Sequence, residues 1–210
     1  MANGTDEASI QRALTPTLSR KRERGLVARC VKVLAKHSKL RVLLLADTHG
    51  VLDVRIAALA CECDVAVHAG DVGNAAVLGA LSAGGAQVIA VRGNNDVPSK
   101  WPRDDRSALD GLEEIARVEL PGGTLIATHG DRYAPSTRHA RLRAAFPDAR
   151  AIVYGHSHRI VVDDAASPWI LNPGAAGRAR TYGGPSCLVL EASPRAWHIE
   201  TLRFERMIAR

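Results

Sequence analysis

Eight polar side chains recur at one kind of place in this chain. Asp47 and His49 follow the apolar run 42–46, and Asp71 follows the run 65–69. Asn94 and Asn95 follow 87–91, His129 follows 124–128, and His156 and His158 follow 151–154. In an extended segment, residues i and i+2 project to the same side, so Asp47 with His49, and His156 with His158, can each reach one point. Carboxylate, imidazole and amide oxygen, with no thiolate, suit Mn, Fe, Zn, Ni or Co better than Ca or a sulfur-bound cluster. Asp71 lies between the other groups in sequence, and one carboxylate can bridge two ions. Asp47, His49, Asp71, Asn94, His129, His156 and His158 are a sensible ligand set for two divalent cations, with solvent completing the shells.

Those positions need elements to hold them. The runs 42–46, 65–69 and 87–91 are continuous and apolar, as strands buried on both faces are. Segments 53–60 and 74–81 between them read as helices, which makes a β-α-β-α-β order with neighbouring parallel strands. The second half differs. Runs 116–120 and 124–128 flank Pro121-Gly122-Gly123, a hairpin signature. A basic helix over 136–146 precedes a short strand at 151–154, and further strands are expected at 160–163, 169–171, 187–190 and 197–203. Two mixed sheets packed face to face, with helices outside, accommodate both halves. In such sheets ligands bind beyond the carboxyl ends of the strands, where the polar residues cluster.

Composition narrows the classes. The chain has 210 residues, 46% hydrophobic and 24% charged, which excludes a disordered chain or fibrous repeat. No apolar run is long enough to span a bilayer. Cys30, Cys61, Cys63 and Cys187 show neither disulfide nor zinc-knuckle spacing and read as reduced thiols, so a cytoplasmic location is expected. The formal net charge is +6, and all of it falls in residues 1–40, which hold nine Lys/Arg and three Asp/Glu. The remainder is neutral, so nucleic acid is not the expected partner. Residues 1–40 read as a basic N-terminal extension, a solvated tail over 1–24 followed by a short basic helix within 25–39. Residues 41–210 read as the domain.

Taken together, Asp47-x-His49, Gly70-Asp71, Gly93-Asn94-x-Asp96, His129-Gly130 and Gly155-His156-Ser157-His158 resemble the signature of the calcineurin-like metallophosphoesterases. Leu171-Asn172-Pro173-Gly174 and the short intervals between motifs resemble the small single-domain phosphodiesterase branch. The resemblance implies a four-layer α-β-β-α sandwich. It implies that Asp47, His49, Asp71 and His158 hold a first metal, and Asp71, Asn94, His129 and His156 a second. It implies hydrolysis of a small phosphodiester by a hydroxide bridging two ions roughly 3.5–4 Å apart. Manganese is the first expectation, with Ni, Fe, Zn, Co and Mg as the others.

Two departures stand out. Many relatives have a His directly after the metal-binding Asn, where this chain has Asn95, which can donate hydrogen bonds to a substrate but not a proton. Relatives often have Ser where this chain has Ala175. Other residues take plain readings: His68 as a core histidine, Asp96 as an orienting group, His139 as part of a solvated basic face, Cys61 and Cys63 as packing. The segment 97–112 is a lid or a surface loop. A non-catalytic scaffold like the retromer subunit of the same fold is the main alternative, and a nuclease a weaker one. A homo-oligomer is left open.

Overall fold

The computed structural model describes residues 29–32 and 38–206. The chain runs β1 (Arg29–Lys32), β2 (Leu40–Leu45), α1 (Val54–Ala60), β3 (Val65–His68), α2 (Ala75–Ser82) and β4 (Gln87–Ala90). Next come α3 (Arg106–Asp110), β5 (Ile115–Leu120), β6 (Gly123–Thr128), α4 (Arg138–Ala145) and β7 (Ala151–Val153). It ends with β8 (Ile160–Asp163), β9 (Trp169–Pro173), β10 (Ser186–Ala192) and β11 (Trp197–Arg203). A five-stranded sheet has the order β11-β10-β2-β3-β4, and a six-stranded sheet the order β1-β5-β6-β7-β9-β8.

Strand β2 shows why its sequence is unbroken in hydrophobicity. Val42, Leu44 and Ala46 face the second sheet and pack with Val118, Leu125 and Val153 there, beside Leu188 of their own sheet. Leu43 and Leu45 face the other way, onto Ile56 of α1 and Val77 and Leu81 of α2. Alternation between two faces, both buried, removes the polar half of the usual strand pattern. Each buried Leu contributes about 1.5–3 kcal/mol relative to exposure. On the far side, α4 lays Leu142 against Ile126, Ile152 and Ile170 of the six-stranded sheet. The result is the α-β-β-α sandwich.

β2, β3 and β4 are parallel neighbours, so their carboxyl ends finish at one edge. β6 and β7 are parallel too, and bring theirs to one edge of the second sheet. Asp53 caps α1 by accepting from the Arg55 amide, and Asn74 caps α2 by accepting from the Val77 amide.

Three expectations change. Arg29–Lys32 is a strand, not part of a helix, and runs parallel to β5 from Arg29 beside Ala116 to Lys32 beside Glu119. A run this short fits either period, and the unpaired edge of β5 decides it. The six-stranded sheet therefore draws on the segment assigned to the extension. The expected tail over 1–24 lies outside the described residues. The segment 97–112 is neither lid nor loose loop, because Trp101 and Leu109 are buried against the helical side of the five-stranded sheet. The basic face of α4 is partly inward: Arg138 is buried, donating to the carbonyls of Gly130 and Tyr133, and His139 Nε2 lies 2.9 Å from the Tyr154 hydroxyl. Among the described residues no helix is long and apolar enough to cross a membrane.

Candidate metal centre

The loop after β2 is tied to the loop after β3 through the main chain. The amides of Asp47, His49 and Gly50 donate to the carbonyls of Gly70, Asp71 and Val72, at 3.0, 2.9 and 2.7 Å. Thr48 adds a side-chain tie by donating to the Val72 carbonyl at 2.8 Å. Its oxygen lies 2.9 Å from Nε2 of His68, which is fully buried. Burial lowers the His68 pKa to about 4, so the ring is neutral, and the Thr48 contact at its Nε2 ties the two loops together.

Asp96 organises the same region from below. One oxygen accepts from the amides of Val72 and Gly93, the other from the amide of Gly73 and the indole of Trp101. Gly93 passes so close to Asp71 that a Cβ there would overlap the carboxylate. A Cβ on Gly70 would come within 2.6 Å of His129 Nδ1.

On this frame the seven expected ligands converge. His49 Nε2 lies 3.3 Å from His158 Nε2, and His158 Nε2 lies 3.4 Å from Asp47 Oδ1. Asp71 Oδ2 is 3.8 Å from His49 Nε2 on one side and 3.4 Å from His129 Nε2 on the other. Asn94 Oδ1 lies 3.1 Å from His129 Nε2 and 2.9 Å from His156 Nδ1. Two sub-clusters result, with Asp71 between them. Asp47, His49 and His158 can offer ligand atoms that all lie within 4.8 Å of one another, and so can Asp47, Asp71 and His129.

The residues fit divalent cations. Asp47 is fully buried, and its Oδ2 has no hydrogen-bond partner. A buried carboxylate oxygen with no partner is costly unless a cation meets it. Burial pushes the Asp47 carboxyl up to about 7 in the metal-free protein. Burial also works on Asp71, but the hydrogen bonds and charge of His129, with those of Asn95, outweigh it and hold that carboxyl well below its ordinary range. The same pair acts on His129 in reverse. Burial disfavours its charged form, yet Asp71 raises its pKa to about 9. His129 Nδ1 lies 2.9 Å from the Ala69 carbonyl, which orients the ring so that Nε2 faces the centre. Burial and the charge of Arg180 lower His158 to about 4.

Backbone geometry marks the same residues. Among the described residues, six that are not glycine have positive φ: Asp47, His49, Asp71, His156, His158 and Arg180, at 47–66°. Five are expected ligands. Such conformations cost roughly 1–3 kcal/mol each and persist where the surroundings over-determine them.

Asn95 turns toward Asp71. Its backbone and side-chain amides both donate to Asp71, and Lys100 Nζ approaches its Oδ1. Asn172 supports the last His pair, donating to the Gly155 carbonyl and to Ser157 Oγ. Arg180 and Lys100 carry no signal in the sequence. Neither sits in a motif, and each arrives from a loop. A cleft of about 450 Å³ beside β4, between α2 and α3, contains none of the seven ligands. A smaller one of about 150 Å³ opens against Asn94 and His129.

Residues 40–195 match the model of the calcineurin-like phosphoesterase superfamily domain. The chain belongs to this family. A search of curated protein sequences finds no match. Solved structures share the fold. A single-mutant Vps29 from Entamoeba histolytica superposes with a TM-score of 0.62 at 17% identity, covering 79% of this chain and 100% of that one. Wild-type Vps29 from the same organism, complexed with zinc, gives 0.60 at 17% identity, covering 78% and 99%. A structure described as a novel archaeal phosphodiesterase gives 0.59 at 20% identity, covering 78% and 100%.

Proposed function

We propose that this member of the calcineurin-like family is a phosphodiesterase that works with two divalent cations, manganese first among them. The observation that carries the reading is the convergence of all seven donor side chains from five strand ends, with Asp71 Oδ2 within 3.8 Å of imidazoles on both sides. Retention of the whole set favours an enzyme over a protein-binding scaffold, which has no need of it.

Two bound cations would supply Lewis-acid charge to a phosphoryl group and acidify water. The protein's own part is positional. Asp47, His49 and His158 would hold one ion, and Asn94, His129 and His156 the other, with Asp71 serving both. Asp71 is ionised and fixed by Asn95, so it needs no reorganisation when charge develops nearby. Asp47 must give up its proton to serve as a ligand, and so must His129. Asn95 cannot protonate a leaving oxygen, which points to substrates with good leaving groups, small phosphodiesters or activated esters. The charge outside residues 1–40 sums to zero, which favours a small substrate over a nucleic acid.

The test is hydrolysis of bis-p-nitrophenyl phosphate by metal-stripped protein, with Mn, Ni, Co, Zn and Mg returned singly. His158→Ala and Asp71→Asn are run alongside. Metal-dependent turnover lost in both variants supports the reading. Neither turnover nor metal binding would favour a scaffold.

A further inference from the structure

Among the described residues other than glycine, Arg180 shares its left-handed backbone only with would-be ligands, yet carries no ligand atom. It lies on the connection between β9 and β10. That connection is pinned before it, where the Ala176 amide donates to the Ala46 carbonyl and the Ala176 carbonyl accepts from the Asp53 amide, at 2.9 and 3.1 Å. Gly177 packs so tightly on the carbonyls of Thr48 and Val51 that no side chain fits. The connection is pinned again after it. Thr181 is buried, and the Tyr182 ring carries the Arg159 guanidinium 4.2 Å from its centroid. Arg180 stands exposed between these anchors at φ +50°.

Its Nη2 lies 3.2 Å from His158 Nε2 and 3.5 Å from His49 Nε2. A guanidinium has only donors, so at these nitrogens it uses the lone pairs a metal would use. A divalent cation and the guanidinium cannot share them. Loading the centre must turn the side chain outward, while the pinned backbone keeps it at the rim. There it meets whatever anion approaches from solvent. The planar fork of Arg matches two oxygens of a phosphoryl group in a way that a point charge does not.

Resting on the metal-dependent phosphodiesterase reading above, we infer that Arg180 is the phosphoryl-binding residue of this site. It exchanges its contacts with His49 and His158 for two non-bridging oxygens of the substrate once metal is bound. It acts in substrate binding and does not hold metal.

The test uses full-length protein and Arg180→Ala, with Arg180→Lys as a variant that keeps charge but loses the fork. Calorimetric titration of metal-stripped protein with Mn is expected to show tighter binding in Arg180→Ala, because a competing cation is gone. In the Mn-loaded protein, inorganic phosphate is the probe, read as inhibition of turnover and as direct calorimetric binding. Its affinity is expected to fall about 10- to 100-fold in Arg180→Ala, the loss of a charged hydrogen-bonding pair, and by less in Arg180→Lys. Unchanged phosphate affinity in Arg180→Ala overturns the inference even if metal affinity rises, since Arg180 then only fills the metal-free centre. A wild type that binds Mn but turns nothing over leaves the phosphate titration to decide. A wild type that binds no metal overturns the centre and the inference together.

Discussion

Asn95 donates twice to Asp71, its backbone amide to Oδ1 at 2.8 Å and its side-chain amide to Oδ2 at 2.7 Å. The carboxylate that lies between both ligand clusters is thereby fixed in place before any ion arrives. Partners that orient a ligand in this way affect metal affinity by roughly 10- to 100-fold when removed. Asn95→Ala is therefore expected to weaken Mn binding by about tenfold or more with little loss of thermal stability. Calorimetric titration measures it, and wild-type affinity in the variant would show that the backbone amide alone holds Asp71.

The same residue limits what can be hydrolysed. An amide cannot deliver a proton to a departing alkoxide, so poor leaving groups go slowly. Turnover of bis-p-nitrophenyl phosphate is expected to exceed that of an alkyl monoester by orders of magnitude. Asn95→His, which restores an acid at that position, is expected to narrow the gap. Equal rates on the two substrates in the unaltered protein would sink this idea.

What could be read in the sequence follows from range. Asp47-x-His49 and Gly155-His156-Ser157-His158 each sit directly after a buried strand, so local pattern and parallel topology suffice to bring them together. Arg29–Lys32 could not be read, because its strand character comes from β5, more than 80 residues away in the paired register. Asp96 reads as an orienting group, but its indole partner Trp101 carries no local signal of burial, so 97–112 reads as a lid or surface loop. Arg180 lies in no motif. It reaches His49 and His158 only because the β9–β10 connection folds back over the end of β2.

Asp96 satisfies four donors, three of them backbone amides of the loops that carry Asp71 and Asn94. Removing its carboxylate leaves buried N–H groups unpaired, at about 1–3 kcal/mol each. Asp96→Ala is expected to lose at least about 3 kcal/mol of stability in urea unfolding and to lose metal binding as the loops relax. A variant with near-native stability but no metal binding would instead make Asp96 a ligand.

Proton linkage gives the metal-free protein a distinctive pH profile. His129 is raised from 6.5 to about 9: burial opposes the charged form, and the hydrogen bond and charge of Asp71 outweigh it. Between those values the folded protein keeps a proton that the unfolded chain has released, so stability falls as pH rises. The buried groups lowered to about 4, His68 and His158, act below 6.5 and with the opposite sign. Asp47, raised to about 7, incurs most of its own loss below that pH. The window from about pH 7 to 9 therefore belongs to His129, and metal-free stability there is expected to drop by about 2 kcal/mol. Metal binding requires His129 without its proton, so Mn affinity should rise across the same window while the loaded protein shows no such drop. Urea titrations at pH 7, 8 and 9, with and without Mn, measure both. A metal-free stability that stays level over this range would mean that His129 is already neutral beside Asp71.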